Sequence, residues 1–287
     1  MLTPDKTMND ALARALGGQT DSLYAFLCRG SGLPGVRANV ALAQSFAEAC
    51  ASDARAPKLA ATMARLDADF APGDTALEFL PVCGVMAAAA IAIKQPGARA
   101  AMLGVLHDAS EDLRFRVRDA VAPALAKVGE QLGDELVTEL DSFMDGYFHA
   151  AAALRSLAHR ELLARVGAAE SVAGLLTKAL DLAAGAPRAA ARYPGYKALL
   201  EAIAAAIEPL ALKLGPPIFD VAAAFAKNTD PHLRDLVRTA ASAKKLNARF
   251  PDEVRRVEQA FGATDKPLRD PRSAPRPSRK RGGGRRR

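Results

Sequence analysis

Arginine supplies the strongest chemical signal in this chain. Of the 22 residues from Lys266 to Arg287, ten are Lys or Arg against a single acid, Asp270, a local net charge of +9. The residues before them carry 29 basic and 31 acidic side chains, so the formal +7 of the chain belongs to its end. Flexible arginines that neutralise phosphates release counterions, which gives salt-sensitive, sequence-independent affinity for DNA or RNA. Arg276, Arg279, Lys280, Arg281, Arg285, Arg286 and Arg287 are the candidate contacts. An acidic protein or a membrane surface would attract the same charge. Pro, Gly and Ser among like charges cannot bury apolar area, so 263–287 is expected to be a disordered tail. No aromatic residue is interleaved to stack bases, which argues against sequence reading.

A second set of cations lies in the nearly neutral remainder. Arg114, Arg155 and Arg234 fall on segments with helical periodicity and are expected on an open surface, where with Arg116 and Arg160 they could form an anion track. Arg118 and Arg238 are expected instead to pair with nearby aspartates, because a guanidinium fork suits a carboxylate.

Other chemistry finds little foothold. No two of His107, His149, His159 and His232 have the i, i+3 or i+4 spacing that aims two imidazoles at one ion on a helix, so no metal site is expected, although His149 and His159 could be spatial neighbours. Cys28, Cys50 and Cys83 are widely spaced and odd in number, which suits buried thiols in a reducing compartment and no structural disulfide. The GSGLPG and GGGRRR segments lack the strand, helix and Lys-Ser/Thr order of a phosphate loop, and no serine sits in a nucleophile elbow. No cofactor is expected.

Half the residues are apolar, only 5% are aromatic, and Trp is absent. The abundant alanine favours helices that approach closely. Helices are expected at about 37–52, 56–69, 74–93, 97–107, 112–129, 133–146, 148–166, 169–184, 195–213, 217–227, 231–247 and 251–261, after a frayed leader at 1–18 and a first helix from near Thr20 that GSGLPG breaks. The start of the sequence has neither the basic nor the apolar stretch of a signal peptide. The longest uncharged apolar run, Phe79 to Ile93, falls short of the roughly 20 residues of a membrane span. A cytoplasmic location without membrane insertion is expected.

The clearest helix is LRFRVRDAVAPALAKVG, where Leu113, Val117, Ala120, Val121, Ala124, Leu125 and Val128 recur at steps of three and four, with Asp112 as its cap, Gly129 as its stop and Pro123 as a kink. The same grammar returns in TDPHLRDLVRTAASAKKL, with Asp230 at the start and Leu233, Leu236 and Val237 in the stripe. Val-Arg pairs at 36/37, 117/118 and 237/238 lie 81 and 120 residues apart. Those intervals are near multiples of about 40, the length of a two-helix repeat.

These segments resemble inner helices of HEAT repeats. The resemblance implies an all-α solenoid of antiparallel helix pairs over 19–262, with Asp112 and Asp230 ordering turns, Val117 and Val237 in the core, and Arg118 and Arg238 tying neighbouring repeats together. It implies a concave binding surface rather than one activity. In outline the chain is also similar to HEAT-like DNA glycosylases, which hold a duplex in a solenoid groove with aromatic residues and an Asp. Asp112, Asp119, Phe115, Tyr147 and Phe148 could stand there, but no catalytic role transfers position by position. The expected function is therefore a non-enzymatic scaffold that contacts nucleic acid, the alternatives being a glycosylase or a protein-binding adaptor.

Overall fold

The computed structural model describes residues 4–264. The Arg-rich stretch with Arg276, Arg279, Lys280, Arg281, Arg285, Arg286 and Arg287 lies outside the described residues. Sixteen α-helices follow one another, and no strand occurs among the described residues. They are α1 (Pro4–Leu16), α2 (Asp21–Gly30), α3 (Val40–Ala51), α4 (Ala56–Ala64), α5 (Phe79–Lys94), α6 (Arg99–Ala109), α7 (Phe115–Leu132) and α8 (Asp134–Glu139). The series continues with α9 (Tyr147–Ala158), α10 (Arg160–Arg165), α11 (Ala169–Ala184), α12 (Pro194–Leu214), α13 (Pro216–Phe225), α14 (Pro231–Ala241), α15 (Lys244–Arg249) and α16 (Pro251–Thr264).

Local chemistry sets several boundaries. Asn39 caps α3 by accepting from the Leu42 amide at 3.1 Å, and Asp230 caps α14 by accepting from the His232 amide at 2.8 Å. Helices α7 and α12 stop at Gly133 and Gly215, whose φ of 56° and 74° a side chain would resist. The helix expected at 56–69 ends at Ala64, because the Asp67 carboxylate accepts from the Phe70 amide at 2.8 Å and holds a turn there. The segments 148–166 and 231–247 each divide into two helices, the first at His159, whose ψ is 135°.

Two expectations are corrected. From Pro4 onward the leader is a docked helix rather than frayed: Met8, Ala11, Leu12 and Ala15 recur at helical spacing, are buried, and seat α1 on α2. Helix α7 begins at Phe115 rather than at Asp112, and Leu113 is 87% exposed instead of in the core. Asp112 accepts from the amide of Arg114 at 2.7 Å, an Asx turn that swings Leu113 outward before the helix starts. Gly129 lies inside α7 and is buried, and a Cβ there would stand 2.3 Å from Leu162 Cδ1. Val117 and Val237 are fully buried, as expected.

Helix α5 is apolar on every side, the pattern of a core helix. It packs against α2, α3, α4, α6 and α7. Its surroundings bury 72% of the apolar window within Ala76–Lys94, a stretch long and apolar enough to cross a membrane. Packing then passes along the chain, from α7 to α9, from α9 to α12 and from α12 to α14, while α13 and α16 cover the far end. One contiguous hydrophobic cluster runs through all of it, from Met8 to Phe261.

Candidate functional site

Helices α3, α5 and α7 stand in succession, and together they line a groove of about 1640 Å³, to which the start of α10 adds His159 and Glu161. Its floor is apolar. Ala43, Ala47, Phe79, Val82, Met86, Ala89 and Ala124 supply small and medium side chains. Val36 and Leu113, in the turns before α3 and α7, are 95% and 87% exposed, and Val40 and Phe115 on the first turns are 57% and 66% exposed. Exposed apolar side chains scattered singly are ordinary, but four gathered at one concavity mark a binding surface. Phe115 was legible as a groove residue, whereas Leu113 was not, because its place in the periodic stripe suggested burial.

Charge around this groove is mixed. Arg37, Lys94, Arg116 and Lys127 share its walls with Glu48, Asp74, Asp119, Glu130 and Glu161. Arg116 donates to Asp74 at 2.5 Å and to the buried Glu78 at 2.9 Å, bonds that raise its pKa, and Lys127 reaches Glu130 at 2.7 Å. No continuous row of arginines forms here.

Arg114 corrects the expectation of an open cation. It is 6% exposed, and its guanidinium spans Asp112 with bonds of 2.8 and 2.5 Å. The remaining donors reach the carbonyls of Leu66, Asp67 and Ala71 at 2.6, 3.2 and 2.8 Å, pinning the loop after α4 to the start of α7. Arg155 lies 3.6 Å from Glu201 and is partly exposed. Arg234 donates to Thr264 Oγ1 at 2.9 Å and sits 5.6 Å from the Phe261 ring centre, at the rim of a cavity of about 540 Å³. These three therefore fall in three separate places, without a shared track. Arg118 donates to the Asp112 carbonyl rather than to a carboxylate, and its guanidinium lies 4.7 Å above Phe148. Arg238 pairs with Glu258 on α16 at 2.5 Å and thereby joins two helices.

The aromatic residues divide similarly. Tyr147 and Phe148 pack with Tyr193 and Tyr196 at ring separations of 5.5 to 6.1 Å, and none of these four lines the groove that Phe115 and Phe79 enter. Asp112 is engaged by Arg114, while Asp119 remains exposed on the groove wall.

A histidine cluster lies at the C-terminal end of α6 and the N-terminal end of α9. His107, in the last turn of α6, meets both carboxylate oxygens of Asp145 at 3.1 Å through Nε2. His149, in the first turn of α9, stacks on His107 with ring centres 3.8 Å apart, and Phe143 meets His107 edge-on. Nδ1 of His149 stands 2.9 Å from Asp145 Oδ1, in a contact short of a well-aligned hydrogen bond. Burial and the neighbouring His107 lower the pKa of His149, outweighing the opposite pull of Asp145 and Glu111. Burial would raise the Asp145 carboxyl, but the His107 hydrogen bond and the two imidazoles bring it below its ordinary value. Histidine spacing alone does not reveal this cluster; its one signal in the sequence is the i, i+4 spacing of Asp145 and His149. The neighbour of His149 is His107, not His159.

No protein-family model matches the chain, and no curated protein matches it.

Proposed function

We propose that this chain is a non-enzymatic binding scaffold, a HEAT-like α-solenoid whose groove receives the apolar face of a helix from a partner protein. The solenoid reading is supported by packing that passes from each helix to near neighbours along the chain, and by a single hydrophobic seam from end to end. The observation that carries the function is the open apolar lining at Val36, Val40, Leu113 and Phe115. Three helices side by side at about 8–10 Å spacing give a trough roughly 20–30 Å long, a fit for several turns of an amphipathic helix. Walls of both charge signs suit a polar helix flank better than a polyphosphate.

The test uses exposed positions that bear little core packing. L113D/F115D should keep the helix content, lose binding of an apolar dye such as ANS, and release partners that the wild-type chain holds after nuclease treatment. Retention of the same partners by the double variant removes the groove from this reading.

A second reading rests on the +9 terminus, which favours non-specific contact with DNA or RNA beside the groove's protein ligand. Removing residues 266–287 should weaken DNA binding and flatten its salt dependence. Equal affinity at every salt concentration rules the contact out. The glycosylase alternative finds less support, since Asp112 is occupied by Arg114 and neither Tyr147 nor Phe148 lines the groove. The three free thiols suit a reducing, cytoplasmic location.

A further inference from the structure

We infer that His107, Asp145 and His149 form a binding site for a divalent transition-metal ion of the zinc type, with Glu111 beside it. One donor atom from each residue lies within 4.8 Å of the other two. Three ligands about 2.0–2.2 Å from one ion stand roughly 3.3–3.7 Å from one another, so taking up the ion draws the donors together and turns the stacked imidazoles toward it. The donor set is two imidazoles and one carboxylate, which selects zinc and its first-row neighbours over magnesium or calcium.

Two further features suit an ion. Nδ1 of His149, on a residue only 7% exposed, has the Asp145 carboxylate 2.9 Å away as its near polar neighbour but is not well aligned with it for a hydrogen bond. Gly146 lets that ring lie against the backbone. A Cβ at residue 146 would lie 2.5 Å from His149 Nδ1 and 3.4 Å from Glu111 Oε1, so glycine there holds the imidazole and a second carboxylate close together. The Gly146 φ of −150° is ordinary extended backbone, so conformation does not demand glycine there. Asp145 is largely exposed, which leaves water room to complete the sphere on that side.

Cobalt(II) reports the site directly. Titrating the untagged full-length chain should give one saturable equivalent with visible ligand-field bands, no thiolate charge-transfer band, and displacement by zinc. H149A and D145N should each weaken binding on the order of 100-fold or more, while H159A should leave it unchanged. G146A keeps every proposed ligand but crowds the His149 ring, and it should weaken binding at least tenfold. Zinc should also raise the Tm of the wild-type chain and not that of D145N. Absence of saturable cobalt uptake overturns the inference, as does uptake that survives in both D145N and G146A. Because Asp145 is exposed, its asparagine variant decides the outcome even if H149A fails to fold.

Discussion

Arg114 and Asp112 form a two-pronged ion pair across a single intervening residue, with Nε and Nη2 of the guanidinium on separate carboxylate oxygens. Both are largely withdrawn from solvent, and the same guanidinium holds the carbonyls of Leu66, Asp67 and Ala71. The pair therefore fixes the entry to α7 against the loop that follows α4. It also turns Leu113 into the groove opening.

Arg114→Ala should destabilise the protein by about 3–5 kcal/mol, because it strands a partly buried carboxylate and three carbonyls. Arg114→Lys should recover only part of this, since one ammonium cannot reproduce the fork. Denaturant unfolding of both variants measures the two losses. A loss under about 1 kcal/mol for the alanine variant contradicts the arrangement.

Two glycines should respond to alanine in opposite directions. At Gly84 in α5 a Cβ would lie 2.2 Å from the Ala64 backbone nitrogen, so α4 and α5 must separate, and a cost of about 1–3 kcal/mol or more is expected. At Gly104 in α6 nothing lies within 4 Å, and Gly104→Ala should stabilise by roughly 0.5–1 kcal/mol through helix propensity. Thermal melts of the pair check the contrast.

Acid should weaken the fold through His149. Its folded pKa lies below the ordinary histidine value of about 6.5, so the unfolded chain binds the extra proton first as pH falls. The stability it contributes is present above about pH 6.5 and is lost as pH drops toward the folded pKa. His107, Asp145 and Glu111 face the ring, and the two acids moderate the effect while they stay ionised. His149→Gln should flatten the slope of stability against pH across that window. An unchanged slope assigns the acid sensitivity to other groups.

The thiols should rank by burial. Desolvation, aided by the charge of Asp53, pushes the Cys50 thiol up to about 12, and burial raises Cys83 well above its ordinary value. Cys28 is raised as well but is only partly covered. Mildly alkaline iodoacetamide should label Cys28 first in the native protein and reach the other two only on unfolding, as peptide mass spectrometry can read. Early labelling of Cys83 is the adverse result.

Periodicity by itself determined the helical class and most of the helix order, because apolar spacing and the Asp230 cap act within a few residues, whereas the stop read at Gly129 lies inside α7. The 169–184 helix appears with those bounds, and Val117 and Val237 are core. Charge counting likewise separates the cationic terminus from a neutral remainder. Tertiary structure alone decided which polar groups meet. Arg114 is buried because carbonyls some 43 to 48 residues earlier in the chain converge on it, and His107 reaches Asp145 across 38 residues. Leu113 faces outward because one side-chain turn at Asp112 overrides the helical stripe. Short-range patterns specify which face of a helix is apolar, but a binding site is made where faces of distant helices meet, and that depends on how they pack.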